Sequence, residues 1–220
     1  MGTRLAQPGG VPMRKVSILM FMTIDGVAEF PEYAPDPENP GSEEQAMWSP
    51  RIDSIDTLFL GRKSYEAWAS FWPKQKDNPD SSAFEKRFSK FADKAEKIVV
   101  SRTLKEATWP NSRIVSGDLT QEVNRLKTLP GKNMAVGGGP GLAQSFLERD
   151  LADELIFEMF PSIVGGGKPF FHVTGDPNST RDVVPLGTPE RHDFKLVEAR
   201  PTPDGTVLLH FDRARPPGAH

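Results

Sequence analysis

The sequence predicts a single α/β domain, because strand patterns and amphipathic helix patterns alternate along the chain. Three apolar runs of strand length carry this prediction, at residues 15–22, 56–60 and 134–136. The second and third runs lead through glycine into helical patterns, which is the order of a strand, a turn and a helix. A length of 220 residues suits one large domain better than two small ones.

The composition excludes several classes of site. The chain has no cysteine, so disulfides, thiolate catalysis and thiolate zinc sites are excluded. Its four histidines show no metal-ligand spacing, and we expect no metal site. The formal net charge of −3 provides no basic field, so we expect neither nucleic acid nor an anionic membrane as a partner.

The two ends of the chain differ in composition from its middle. Residues 1–12 are polar and glycine-rich, which predicts a disordered lead-in, and residues 214–220 predict a loose tail, so we expect the domain to cover residues 13–213. The beginning of the chain lacks the apolar core of a signal peptide, and no apolar run approaches the length of a membrane span. A cytoplasmic protein is therefore expected.

The first strand pattern, residues 15–22, is followed by Thr23-Ile24-Asp25-Gly26. A carboxylate at the end of a buried strand lies where ligand crevices open in α/β sheets. Asp-Gly also favours a tight turn, so Asp25 is either a site residue or only a turn residue.

A loop and a short helix are predicted next. Residues 30–40 contain four prolines, which indicate irregular structure. A capping-box pattern that starts at Ser42 predicts a short helix ending at Met47. Tyr33 and Trp48 lie on either side of this helix, where they could line a pocket or simply pack the loop.

The second strand, Asp56 to Leu60, leads into Gly61-Arg62-Lys63-Ser64. Apolar residues then repeat at helical spacing and predict an amphipathic helix, at Tyr65, Trp68, Ala69 and Trp72, followed by a polar loop from Pro73 to Ser81. Cations at the N-terminus of a helix oppose its dipole by about 0.3 kcal/mol or more. A bound anion would turn this cost into binding, so the pattern favours a phosphate site at this turn.

The third strand, Lys97 to Val100, ends at Ser101-Arg102-Thr103. Arginine can donate two parallel hydrogen bonds to a phosphate, so Arg102 is a candidate ligand, or else a solvated loop residue. Helix patterns precede and follow this strand, over residues 84–91 and 118–129.

A glycine-rich turn, Gly137-Gly138-Gly139-Pro140-Gly141, joins the strand at 134–136 to a helix pattern that begins at Leu142. Glycine allows a close approach of a ligand to the backbone, and the unpaired N–H groups of a helix start suit phosphate. A tight turn without a ligand is the alternative. The spacing is not the Rossmann fingerprint, since the third glycine would fall at Leu142, and no Gly-Lys-Ser/Thr sequence completes a P-loop.

The last part of the chain predicts strands and a bend. Residues 151–164 form a long strand pattern, and Gly165-Gly166-Gly167 after it predict a bend or bulge. Lys168 and His172 could reach a ligand from there, although a structural role is favoured. Two strands between residues 194 and 212 predict a hairpin that closes the edge of a mixed sheet.

Five motifs in a fixed order resemble those of the dihydrofolate-reductase-like family, and most of all the stand-alone relatives of the riboflavin-biosynthesis reductase domain, the RibD C-terminal domain. The motifs are Thr23-Ile24-Asp25-Gly26, Leu60-Gly61-Arg62-Lys63-Ser64-Tyr65-Glu66, Val100-Ser101-Arg102-Thr103, Val136-Gly137-Gly138-Gly139 and Val164-Gly165-Gly166-Gly167. The similarity covers residues 13–171 and the final hairpin. It implies a three-layer α/β/α sandwich around a mixed, mostly parallel sheet, binding of NADPH, and a homodimer.

The resemblance also implies roles for single residues. Phosphates would be held at the second helix start by Gly61, Arg62, Lys63 and Ser64. The 2′-phosphate of NADPH would face Ser101 and Arg102. The pyrophosphate would lie against Gly137, Gly138, Gly139, Gly141 and Leu142. Asp25 would lie beside the nicotinamide and the substrate.

Two departures from the family pattern bear on the substrate. The Asp-Asp-Pro type of segment that holds a substrate phosphate in riboflavin-pathway enzymes is replaced by the aromatic residues 65–73, so a riboflavin precursor is not expected. No carboxylate stands in the helix that would meet a pterin, so folate is not expected either.

We therefore expect an NADPH-dependent reductase of a small, planar or heterocyclic substrate. Tyr33, Trp48 and Trp68 would lie near this substrate. A carboxyl in an apolar pocket has a raised pKa, so Asp25, or a bound water, would deliver the proton. A nucleotide-binding or sensory protein without turnover and a flavin-binding protein are the alternatives.

Overall fold

The computed structural model describes residues 13–29, 42–170, 192–203 and 205–214. The expected lead-in at residues 1–12, most of the expected tail, Tyr33 and His172 lie outside these ranges. Among the described helices, not one is long and apolar enough to cross a membrane.

Ten strands and five helices make up the described fold. The strands are β1 Val16–Thr23, β2 Val27–Glu29, β3 Ile55–Gly61, β4 Glu96–Val100, β5 Ser112–Val115, β6 Asn133–Gly137, β7 Glu154–Phe160, β8 Lys168–Pro169, β9 Phe194–Pro201 and β10 Val207–Arg213. The helices are α1 Ser42–Asp53, α2 Arg62–Gln75, α3 Ala83–Lys94, α4 Leu119–Lys127 and α5 Pro140–Glu148.

Eight of the strands form one sheet in the order β5-β4-β3-β6-β1-β7-β10-β9. The pairs from β5 to β7 are all parallel, whereas β10 runs antiparallel to both β7 and β9. The expected mixed, mostly parallel sheet that ends in an antiparallel hairpin is therefore confirmed. The short strands β2 and β8 form a separate antiparallel pair, which the sequence patterns did not predict.

Helices cover the sheet on both faces, and successive residues of β3 show this. The Phe59 ring packs 5.0 Å from the Phe146 ring of α5, in a core cluster that also contains residues of α4. Leu58 and Leu60 point the other way and pack against clusters that contain residues of α2 and α3. Strands buried on both faces read as unbroken apolar runs, which explains the patterns that predicted them.

The connections of the chain change direction between β6 and β1. The chain leaves β1 through β2 and α1, which packs on one face of the sheet through Trp48 and Ile52. It leaves β6 through α5, which packs on the other face. Since β6 and β1 are neighbours, their carboxyl ends lie at a topological switch point, where open α/β sheets bind ligands.

Three predicted boundaries were wrong. Helix α1 continues past Met47 to Asp53, because Trp48 and Ile52 lie one turn apart and both are buried against β7 and β10. Helix α2 includes Pro73 and ends at Gln75, where the hydroxyl of Ser89 on α3 donates to the Trp72 carbonyl at 2.7 Å. Strand β7 is shorter than predicted and ends at Phe160, because its partner β1 ends there in register.

Candidate active site

The turns singled out in the sequence lie at one edge of the sheet. Strands β4, β3, β6 and β1 are consecutive neighbours, and all four are parallel, so their carboxyl ends meet at the same edge. We call the turns that follow them the rim, which comprises residues 101–104, 61–64, 137–141 and 23–26. Arg102, Arg62 and Gly138 therefore belong to adjacent turns, although they are far apart in the sequence.

Two of these turns are in direct contact. The Gly139 N–H donates a hydrogen bond of 3.0 Å to the Ser64 hydroxyl oxygen. Gly138 has a φ of +92°, and a Cβ built there would come within 2.3 Å of the same oxygen. Glycine is thus required at position 138 both for its backbone conformation and for the close approach of α2.

The helices that begin at the rim lack ordinary caps. Their N-cap residues are Gly61 and Gly139, and among the described residues neither has a side-chain cap hydrogen bond. By contrast, α3 begins with a capping box from Ser82, and the Asp118 side chain caps α4. Neither α2 nor α5 has an acidic residue in its first turn. The rim therefore presents two helix dipoles whose positive ends lack a carboxylate.

The cations of the rim are exposed. Arg62 and Lys63 are both exposed, and Arg62 Nη1 contacts Glu66 Oε2 of the next helical turn at 3.2 Å. Exposed pairs of this kind contribute only about 0–1 kcal/mol, so the guanidinium can change partner at little cost. Gly141 is exposed too, and Leu142 approaches Gly61, where a Cβ would lie 4.0 Å from Leu142 Cβ.

The turn after β4 is organised by Ser101. Its hydroxyl oxygen accepts hydrogen bonds from the N–H groups of Thr103, at 3.2 Å, and Leu104, at 3.0 Å. These bonds fix the backbone on both sides of Arg102, whose side chain is exposed. Arg102 is thus held on an ordered turn at the rim.

Asp25 links the turn after β1 to the loop after β7. Its Oδ1 accepts a hydrogen bond of 2.5 Å from the Thr23 hydroxyl, and its Oδ2 accepts from the N–H groups of Gly165, at 2.9 Å, and Val164, at 3.2 Å. The Thr23 hydroxyl, followed by the Gly165 amide, lowers the pKa of this exposed carboxyl below its usual value. The expected raised pKa is therefore wrong, because the carboxyl lies among hydrogen-bond donors and not in an apolar pocket.

The aromatic residues expected near the substrate have packing roles. Trp48 is only 5% exposed, and its Nε1 donates to Glu158 Oε2 at 2.7 Å. Trp68 is half-buried and packs between α3 and β6, with its Cη2 2.9 Å from where a Cβ on Gly137 would lie. Contact of either residue with a substrate stays a prediction. Phe21 is the exposed aromatic residue beside Trp48. The sequence did not single it out, because it lies within an unbroken apolar run.

One group of metal-ligand residue types lies at the opposite edge of the sheet. Ligand atoms of Glu154, His210 and Asp212 all lie within 4.8 Å of one another, although the residues come from two different strands. The Lys15 ammonium already contacts Glu154 Oε1 at 2.6 Å and Asp212 Oδ1 at 3.3 Å. A lysine thus supplies the positive charge for these carboxylates, and the group carries no argument for a metal.

Comparison with known proteins identifies the family. The family model of the RibD C-terminal domain matches residues 14–208. The uncharacterized protein YyaP of Bacillus subtilis (strain 168) is 32% identical over 161 residues, which are 73% of this chain and 75% of YyaP.

Solved structures share the fold. The crystal structure of a Shewanella sp. PV-4 protein provisionally assigned to riboflavin biosynthesis has a TM-score of 0.64 and 21% identity, covering 91% of this chain and 99% of its own. The dihydrofolate reductase of Enterococcus faecalis, solved with NADP(H), has a TM-score of 0.52 and 12% identity over 91% of this chain and 97% of its own. The chain belongs to the RibD C-terminal domain family and has the dihydrofolate-reductase-like fold of that family's reductases.

Proposed function

We propose that the protein is an NADPH-dependent reductase of a small planar substrate. The observation that carries this proposal is the contact between the two glycine-capped helix starts at the rim, where the Gly139 N–H donates to the Ser64 hydroxyl. This contact sets two positive helix ends side by side, next to the switch point between β6 and β1. An elongated ligand with several phosphates matches such a row of sites.

The residues present fit the cofactor. Gly138 lets the turn adopt a positive φ and lets Ser64 of α2 come close to it, so the two helix starts lie together. Gly61, Arg62, Lys63 and Ser64 would hold phosphate at the start of α2, and Gly137, Gly139, Gly141 and Leu142 would complete the cradle at α5. Ser101 and Arg102, one strand further along the rim, would bind the 2′-phosphate that distinguishes NADPH from NADH.

Bound NADPH would supply a hydride, and the protein would orient it and exclude water. A substrate double bond that accepts the hydride on carbon also needs a proton on its other atom. Asp25 carries its carboxylate within hydrogen bonds from Thr23 and Gly165, so it is an acceptor at neutral pH. We propose that it orients a water or a substrate N–H, and that the proton comes from solvent.

The test is a cofactor titration with Arg102→Ala. NADPH affinity should fall at least about tenfold, the value of one charge-assisted hydrogen bond, and NADH affinity should stay unchanged. Arg149→Ala is the matched control, since Arg149 is an exposed arginine just after the other end of α5. Equal losses of NADPH and NADH would refute the 2′-phosphate assignment, and wild-type protein that binds neither would refute the proposed function.

A second candidate function is a nucleotide-binding or sensory protein without turnover. The hydrogen bonds that Asp25 accepts are the observation behind it, because the side chain expected to donate the proton is held as an acceptor. NADPH binding without oxidation across a panel of imines, enones and pteridines would support this candidate.

We also propose a cytoplasmic homodimer. Light scattering should give about twice the chain mass of 24.3 kDa, whereas a single chain mass would refute the dimer.

A further inference from the structure

Phe21 is exposed where a central strand is otherwise covered. Strand β1 lies between β6 and β7 in the interior of the sheet, and Phe21 is the one exposed residue among its eight. Its side chain is 47% exposed, while Met20 and Met22 beside it are 4% and 7% exposed. An interior strand that carries a large exposed ring is unusual, because parallel strands are normally covered on both faces.

Phe21 lies close to the switch point between β6 and β1. It precedes the end of β1 by two residues, and β1 is the direct neighbour of β6, whose carboxyl end carries the glycine turn. Adjacent strands lie about 4.8 Å apart, so the backbone at Phe21 lies about one strand spacing from the chain that carries Gly138. It points to the face of the sheet that α1 covers, since it contacts Trp48 of that helix.

Two aromatic neighbours hold the ring. The Trp48 ring lies 5.7 Å away at an interplanar angle of 84°, and the Phe160 ring lies 6.0 Å away at 59°. Both neighbours are buried, with 5% and 3% of their surfaces exposed. The edge contact with Trp48 and the tilted contact with Phe160 fix the orientation of the Phe21 ring and leave part of its surface uncovered.

A buried carboxylate anchors one of these neighbours. Glu158 pairs with Phe21 across the β1–β7 ladder and is 6% exposed. Its Oε2 accepts the 2.7 Å hydrogen bond from Trp48 Nε1. The bond fixes the indole, and the indole fixes Phe21, so Glu158 acts on the ring through Trp48.

We propose that Phe21 is the surface on which the planar substrate of this reductase lies, and that Glu158 is a positioning residue for that surface. The inference rests on the proposed function. A flat ring makes full contact with Phe21, whereas a puckered ring of the same size does not. Phe21 thus selects for planarity beside the place where the hydride is delivered.

The test uses two neutral probes with the same carbon skeleton, flat 1-naphthol and saturated decahydro-1-naphthol. Their binding is measured by calorimetry with NADP⁺ at saturation and again without cofactor. Wild-type protein should bind 1-naphthol at least about fivefold more tightly than its saturated counterpart. Phe21→Ala should lose that preference while it keeps its affinity for NADP⁺.

Phe71→Ala is the matched control, because Phe71 is 46% exposed but lies about 10 Å along α2 from Ser64, the last rim residue on that helix. It should bind both probes as wild type does. Phe21→Leu, which keeps an apolar side chain without a ring, gives the same answer if the alanine variant does not fold. Equal binding of the two probes, or an unchanged preference in both Phe21 variants, would overturn the proposal.

The role of Glu158 has its own comparison. Glu158→Gln keeps an oxygen that can accept from Trp48, and it should bind 1-naphthol within about twofold of wild type. Glu158→Leu removes the acceptor and should shift the tryptophan emission and weaken 1-naphthol at least about fivefold. Equal effects of the two changes would contradict a positioning role. Wild-type protein that does not bind NADP⁺ would count against the proposed function. In that case the probe titration without cofactor would still decide the role of Phe21.

Discussion

Gly138 and Ser64 show, residue by residue, how closely two turns of the rim approach each other. Gly138→Ala should destabilise the protein by about 1–3 kcal/mol, because a non-glycine residue at positive φ is strained and its Cβ would meet the Ser64 side chain. Urea denaturation measures this loss. Gly141→Ala is the control, since no described atom lies within 4 Å of its Cβ position and a loss below about 0.5 kcal/mol is expected.

A double variant separates clash from backbone strain. Ser64→Gly combined with Gly138→Ala removes the side chain that the new Cβ would meet, although position 138 keeps its positive φ. Part of the stability should therefore return. If the double variant loses as much stability as the two single variants together, or more, the clash is not the cause.

The sequence predicted those residues of the rim whose pattern lies within a few neighbouring positions of the chain. The glycines of the rim and the exposed arginines follow directly from strand-to-turn patterns in the chain. Phe21 could not be predicted as exposed, because its burial depends on which residues of α1 and β7 lie against it. The pKa of Asp25 was also out of reach, since two of its donors come from residues about 140 positions later.

Among the elements, α3 has an unusual C-terminal partner. Lys97 of β4 is fully buried, and its ammonium donates to the carbonyls of Ala92 and Ala95 at the end of α3. It also lies 4.5 Å from the centre of the Trp109 ring. Burial lowers the pKa of Lys97 to about 8, from an ordinary value of 10.5.

This shift predicts a pH dependence with a definite sign. Between pH 8 and 10.5 the unfolded chain holds the Lys97 proton more often than the folded protein does, so stability should rise with pH in that window. This gain in stability is complete above pH 10.5 and is lost as the pH falls through 8. Urea denaturation of wild type and Lys97→Met at several pH values isolates the effect, since all other groups are common to both. Parallel curves for the two proteins would contradict the lowered pKa.

The elements themselves were predicted well where both faces of the sheet are covered. Strands β1, β3, β4 and β6 appear as apolar runs because helices bury them from two sides. The end of α1 was missed, because the burial of Trp48 and Ile52 depends on β7 and β10, which lie far along the sequence. Strands β2 and β8 are too short to leave a pattern.

In the whole molecule, the order of the strands in the sheet brings the turns of the rim together. Arg102, Ser64 and the Gly137–Gly139 turn lie in three segments of the chain, and the order β4-β3-β6 makes them neighbours. The sequence analysis predicted no strand order, because strand patterns do not reveal which strands pair. The cluster of Glu154, His210 and Asp212 illustrates the same limit, since it appears only when β7 and β10 are placed side by side.

The central claim is that these three turns bind one NADPH molecule together, and hydrogen exchange with and without NADPH tests it most directly. The account predicts slower exchange in residues 61–64, 101–104 and 137–141, and unchanged exchange at the other edge of the sheet, near Lys15 and Asp212. Protection confined to a single turn, or found only away from the rim, would contradict it.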